Sequence, residues 1–176
     1  MMRIFRMYLY RPILIVLGLL LVWGGAWRTI GTVPGRVAQY GSVARQRLQP
    51  YFARADVPYP PRALVLVGLK DTQTLQLYAP DRHGVMRLLR AYPIHAASGH
   101  LGPKLREGDL QVPEGIYHVE SLNPRSLFHL SLRLDYPNAF DHEMARHDGR
   151  TQLGGDIMIH GSAASAGCLA MGNPAS

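Results

Sequence analysis

The stretch Gly154-Gly155-Asp156-Ile157-Met158-Ile159-His160-Gly161-Ser162-Ala163-Ala164-Ser165-Ala166-Gly167-Cys168-Leu169-Ala170-Met171 holds the only cysteine of the 176-residue chain, eight positions after a histidine. The apolar run 157–159 reads as a short buried strand that His160-Gly161 closes. Residues 161–167 are all Gly, Ser or Ala, small enough for a tight loop that returns Cys168 towards His160. Thiol chemistry needs that approach. The thiolate is the nucleophile, and a neighbouring imidazole takes its proton and holds the charge as an ion pair. Gly167 leaves room for a carbonyl group, so that the Cys168 amide can face a developing oxyanion. Each residue also has a plainer reading, Cys168 as a small buried hydrophobe and His160 as a satisfied core or surface side chain.

Taken together, His160-Gly161, a Ser-containing loop and Ser165-x-Gly167-Cys168-x-x-Met171 resemble the active-site motif of the L,D-transpeptidase family, with its YkuD-type catalytic domain. The seven-residue loop between His160 and Cys168 is similar to that of the YafK-like murein branch. Many members carry a second histidine just before the Gly-Cys pair, where this chain has Ala166. Further segments match that branch in order: Tyr92-Pro93-Ile94, Ser98-Gly99, Gly102-Pro103-Lys104, Glu107-Gly108-Asp109, Pro113-Glu114-Gly115-Ile116-Tyr117, Leu122-Asn123-Pro124, Phe128-His129-Leu130-Ser131 and Tyr136-Pro137-Asn138-Ala139-Phe140-Asp141. The resemblance covers residues 57–174. The branch usually continues with a helix beyond the signature, so the chain, ending at Ser176, reads as truncated at its C-terminus.

The N-terminus carries an address. Residues 1–11 contain Arg3, Arg6 and Arg11 and no acid, and residues 12–27 carry no charge until Arg28. A basic start followed by an apolar segment reads as a signal anchor over 1–28 with its N-terminus inside. Trp23 and Trp27 suit an interfacial belt. A cleaved signal peptide is the alternative, with Gly24-Gly25-Ala26 as a weak cleavage site. Either way the rest of the chain is expected in the bacterial periplasm, held at the inner membrane in the first case. The chain has 19 Lys and Arg against 12 Asp and Glu, and four of the arginines belong to the anchor, which leaves 15 against 12. That balance carries no nucleic-acid footprint. One unpaired cysteine in an exported chain is buried, bridged to a partner or reactive.

Residues 29–60 read as a helical stalk or linker. Val37, Tyr40, Val43, Ala44, Leu48, Tyr51 and Phe52 recur at roughly helical spacing, and their stripe is expected to pack on the domain. Pro50 should break or kink the helix, and Pro58, Pro60 and Pro61 mark the boundary of a catalytic domain over 61–176. That domain reads as mainly β, with strands over 63–69, 74–79, 85–97 (interrupted at Pro93), 116–120 and 127–134. Alternation of Phe128, Leu130, Leu132 and Leu134 implies one buried face. The pattern predicts an antiparallel β-sandwich or distorted barrel, and the resemblance implies the same fold.

The loop 99–113 is long enough to be functional, and Lys104 and Arg106 on it are candidates to contact a substrate carboxylate, against a plainer reading as local ion pairs. His129 either lines a cleft opposite His160 or is an exposed strand residue. His95, His100 and His118 receive no role. No ligand spacing points to a metal, and no cofactor is implied.

The resemblance implies cysteine-dependent acyl transfer on peptidoglycan stem peptides. Cys168 would be the nucleophile and His160 the proton carrier. Gly161 and Gly167 would complete the motif, a backbone carbonyl near Gly161-Ser162 would orient the imidazole, and Ser162 and Ser165 would support the loop. The thioester would pass to an amine or to water. The branch's association with murein-bound lipoprotein favours hydrolysis. Asp156, two strand steps before His160, is a minor candidate. A catalytically inactive, membrane-anchored wall-binding module is the alternative from another class. A sortase-like enzyme fits poorly, because Leu169, Ala170 and Met171 follow the cysteine where an arginine is expected.

Overall fold

The computed structural model describes residues 31–173, and the signal anchor expected over 1–28 lies outside them. Among the described residues no helix is long and apolar enough to cross a membrane. The chain divides into two compact units, Met1–Gly41 and Ser42–Ser176. Of the first, residues 31–41 are described; there Thr32 Oγ1 accepts from the Gly35 amide at 3.2 Å as helix α1 (Val33–Arg54) begins.

Helix α1 runs through Pro50 unbroken, so of the break or kink expected there the break does not occur. Pro50 and Gln46, whose carbonyl loses its donor, are both exposed, so water can satisfy that oxygen. In the second unit, Leu48, Tyr51 and Phe52 fold the end of α1 onto a core formed with Val57, Leu77, Ala79 and Leu89. The expected packing of the stripe is thus seen for its C-terminal residues. Phe52 is 3% exposed and meets the Tyr59 ring edge-on at 5.0 Å.

The unit is mainly β. Strands β1 (Val65–Leu69), β2 (Thr74–Pro80) and β3 (Met86–Pro93) form one antiparallel sheet in the order β1-β2-β3. Strands β4 (Ala96–Ala97), β5 (Val119–Asn123), β6 (Ser131–Leu134), β7 (Met158–His160) and β8 (Leu169–Ala170) form a second sheet in the order β4-β8-β7-β6-β5. Pairing in the second sheet is antiparallel except between β7 and β8, which run parallel. The sheet is therefore mixed rather than purely antiparallel, and neither sheet closes into a barrel among the described residues. The run expected over 85–97 is interrupted after Pro93: β3 ends at that residue and β4 follows in the other sheet.

Alternation along β2 sends Leu75, Leu77 and Ala79 inward. Leu75 joins Ile94, Val112, Ile159, Leu169 and Met171 between the two sheets, while Leu77 and Ala79 receive α1. One strand face thus serves both cores.

Two strands are shorter or shifted relative to the sequence pattern, and a helix was missed. The strand expected over 127–134 begins only at Ser131. Before it, Asn123 Oδ1 accepts from the Arg125 amide and Ser126 Oγ from the Phe128 amide, so side chains take the N–H groups a ladder would use. His129 then turns through φ 74°. The strand expected over 116–120 is displaced to β5, with Ile116 89% exposed. Helix α2 (Ala139–His147) starts at a capping box: Asn138 Oδ1 accepts from the Phe140 and Asp141 amides, and the Asp141 carboxylate accepts from the Asn138 amide.

Phe52→Ala is expected to destabilise the unit by about 3–5 kcal/mol. Urea unfolding of wild type and variant measures it; a change under 1 kcal/mol would mean that α1 is not part of the core.

Candidate active site

Strand β7 is enclosed by β6 on one side and β8 on the other, which fixes where its histidine can sit. His160 pairs with Ser131 of β6 and with Ala170 of β8. It is 4% exposed, and the Phe128 ring stacks on its imidazole at 4.7 Å between centroids. Its Nδ1 is held by the Gly161 carbonyl, the kind of backbone orienter the family resemblance implies. That bond places the Nδ1 proton towards Gly161 and leaves Nε2 as the basic nitrogen of the neutral ring. Gly161 has no room for a side chain: a Cβ there would meet the Phe128 carbonyl at 2.7 Å and Asn173 Oδ1 at 2.9 Å.

The eight residues from Gly161 to Cys168 reverse the chain so that β8 can run parallel to β7. Parallel neighbours usually need a connection of a dozen or more residues. Here the strands are three and two residues long, and the loop is made of small residues. Two residues turn through positive φ, Ser162 at 68° and Gly167 at 102°. The Ser162 amide donates to Asn173 Oδ1 at 2.8 Å and its carbonyl accepts from Gly172, tying the loop to the residues after β8. At Gly167 a Cβ would come within 3.2 Å of the Gln111 carbonyl, so both conformation and space require glycine.

Ser165 is hydrogen-bonded at both ends of its hydroxyl. Its hydroxyl donates to the Cys168 carbonyl at 2.6 Å and accepts from the Ser98 amide at 3.0 Å. Ser98, which the sequence reading left without a role, completes the brace: its hydroxyl accepts from the Gly167 amide at 2.6 Å and donates to the Leu110 carbonyl at 2.7 Å. The signal was present in Ser98-Gly99, because Gly99 at φ 83° lets Gln111 insert where a Cβ would stand 1.9 Å from its Oε1.

Cys168 immediately precedes β8, two positions before the residue that pairs with His160. Its thiol donates to the Asp156 carbonyl, S···O 3.6 Å. Burial pushes the thiol pKa up, the Met158 amide pulls it down, and the Asp156 carboxylate raises it again. In this structure the Cys168 thiol is turned to a backbone carbonyl. Asp156 sits at φ 56°, and its carboxylate is bound by Arg133 Nη1, whose guanidinium also reaches Glu120. Asp156 thus belongs to the site through its backbone and its field. Gly154-Gly155 before it marked an irregular turn.

The other candidates are placed apart or differently. Lys104 is buried: its ammonium reaches Asp109 Oδ1 at 2.6 Å and the Arg106 carbonyl at 2.8 Å. It holds the loop together, as in the ion-pair reading, and is not presented to a ligand. Burial by itself would raise the Asp109 carboxyl, but the Lys104 ammonium and the amides of Arg106, Gln111 and Leu105 hold it far below the usual range. Arg106 has an exposed side chain, and its amide donates to Asp109. His129 lines the same cavity as His160, on the β6 side.

Asp156→Asn keeps a residue type that tolerates the left-handed conformation and removes the charge beside Cys168. The thiol pKa is expected to fall, so alkylation of Cys168 followed against pH should show its midpoint at lower pH than in wild type. An unchanged or higher midpoint would show that the carboxylate does not act on the sulfur.

No family model matches the chain, and no solved structure matches it. Over 106 residues it is 39% identical to a curated Escherichia coli K12 protein named "Putative L,D-transpeptidase YafK", and equally to its counterpart from the O157:H7 strain. The match takes in 59% of this chain and 40% of each relative, so the chain spans well under half the length of the curated relatives it matches. The family resemblance read from the His160-to-Met171 motif and the segments before it is borne out by this similarity to YafK-like L,D-transpeptidases.

Proposed function

We propose that the chain carries a cysteine-dependent acyl-transfer site acting on peptidoglycan stem peptides. The observation that carries this reading is the parallel register of β7 and β8, which pairs His160 with Ala170, two residues after Cys168. The similarity to L,D-transpeptidases supports the substrate class.

In the proposed reaction, rotation of the Cys168 side chain away from the Asp156 carbonyl brings the thiol towards His160. Nε2 takes the proton, and the sulfur attacks a stem-peptide carbonyl. Sulfur–carbon bond formation gives a tetrahedral oxyanion faced by the Cys168 amide. Collapse breaks the carbon–nitrogen bond, and the imidazolium returns its proton to the leaving amine. The thioester then passes to an amine, forming a cross-link, or to water, releasing the acid. We favour water, acting on a murein–lipoprotein or stem peptide bond, with the unit in the periplasm and residues 12–27 in the inner membrane.

One observation favours a second reading. A thiol turned to a backbone carbonyl also suits a peptidoglycan-binding module without turnover. Mass spectrometry of the chain incubated with murein fragments and with lipoprotein-linked murein separates the two. Wild type should give cross-linked or released products, and Cys168→Ala should lower their yield by several orders of magnitude with the fold intact. Equal yields from both proteins, or binding without product from wild type, would overturn the enzymatic reading.

A further inference from the structure

The two faces of the first sheet differ in what covers them. Leu75, Leu77 and Ala79 of β2 turn inward, while the opposite face is apolar and stays open to solvent. On that open face the register sets Val65 beside Tyr78 and Tyr78 beside Leu88, with Val67 two steps along β1 and Met86 two steps along β3. Val65, Val67, Met86 and Leu88 are between 36% and 48% exposed. Leu64 and Val85, just before β1 and β3, are exposed as well. The Tyr78 hydroxyl donates to Gln76 Oε1 at 2.8 Å, so the polar groups of the face satisfy each other. A contiguous apolar patch of this kind marks a docking surface.

The charges at its edge are of one sign. The three strands contain Arg87 and Arg90 and no acid. Arg54, Arg82, His83 and Arg87 line a cavity of about 410 Å³ beside the β2–β3 turn, together with Asp56 and Asp81. Arg62 reaches the same turn, because a Cβ on Gly84 would meet its Nη2 at 3.2 Å. Asp81 is buried and already engaged: it accepts from the His83 and Val85 amides and from the Arg87 guanidinium. That leaves Arg54, Arg62 and Arg82, all exposed, against Asp56, and among the described residues no ion pair holds any of the three. An aliphatic face with a cationic edge is complementary to a layer whose apolar interior lies beneath anionic phosphates. Valine, leucine and methionine side chains can enter the acyl boundary, while arginine stems lie along it and their guanidinium groups bind phosphate. A protein partner would more often be met by aromatic anchors, and the aromatic side chain on this face, Tyr78, is tied to Gln76.

We infer that the outer face of β1-β2-β3 rests on an anionic phospholipid membrane. Val65, Val67, Met86 and Leu88 enter the acyl boundary, Arg62 and Arg82 meet lipid phosphates, and the cavity beside the β2–β3 turn takes a headgroup. The contact goes beyond the acyl-transfer reading and uses neither Cys168 nor His160, which belong to the second sheet and its loop.

The test reconstitutes the full chain, with lipid in large excess, into vesicles of phosphatidylethanolamine and phosphatidylglycerol or of phosphatidylcholine, with brominated acyl chains. Trp23→Phe and Trp27→Phe remove both native tryptophans, and Leu88→Trp supplies a reporter on the face. Ile116→Trp, at an exposed position before β5, is the control. In the anionic vesicles bromine should quench Leu88→Trp about twofold or more beyond the control. Phosphatidylcholine, or Arg62→Gln together with Arg82→Gln, should remove about half of that excess or more. These positions are exposed, so the fold should tolerate the changes, and Val85→Trp is a second reporter that should behave as Leu88→Trp does. Quenching of both reporters no stronger than the control, or an excess indifferent to lipid charge and to the two arginines, would overturn the contact. Self-association in detergent without phospholipid, seen by sedimentation and lost in Leu88→Lys, would assign the face to a second copy of the chain and would also overturn it.

Discussion

The parallel pairing of β7 with β8 is the constraint on which the site depends. It joins the strand that ends in His160 to the strand that follows Cys168, and it does so across only eight residues. A connection that short cannot carry large side chains or keep every residue at negative φ. The small residues of 161–167, with Ser162 and Gly167 in left-handed conformations, follow from that geometry. The Ser98–Ser165 brace and the Asn173 side chain then hold the loop from its two sides.

Burial sets the chemical character of the two central groups. His160 is enclosed by neighbouring strands and the Phe128 ring, with one nitrogen tied to a carbonyl, so its orientation is fixed before any ligand arrives. Cys168 is treated differently: burial and the Asp156 carboxylate both favour the protonated thiol.

The loop 98–113 contributes by being rigid. Lys70 donates to the carbonyls of Gly102 and Val112 and pairs with Glu114, Lys104 is enclosed with Asp109, and Gln111 fills the space over Gly99. Its Lys104 acts inside the protein, while the Arg106 side chain is exposed. A charged residue in a long loop looks the same in sequence whether it faces water or a buried carboxylate, so Lys104 could not be assigned from spacing. Tyr136 is buried beneath the same loop, donating to the Lys104 and Leu153 carbonyls, and its hydroxyl pKa is pushed up to about 12, chiefly by burial.

By itself the sequence carried the His160–Cys168 spacing, the small-residue loop between them, the mainly β class and the alternation of Leu75 and Leu77 on β2. Each of these depends on local composition or on a period of two, which one-dimensional pattern carries. It left the helix after Asn138 unread, although the Asn138-x-x-Asp141 capping box was present, because the run is only nine residues long. It extended β6 back to residue 127, because alternation does not reveal that Asn123 and Ser126 side chains capture the backbone donors first. The tertiary structure alone decided that β7 and β8 run parallel, that the resting thiol turns to Asp156, that Lys104 faces inward and that Ser131 stands unpaired opposite His160. These are relations between residues far apart in the chain. They are fixed by strand register and by competition for hydrogen bonds in a closed space, and neither quantity exists until the sheets have formed.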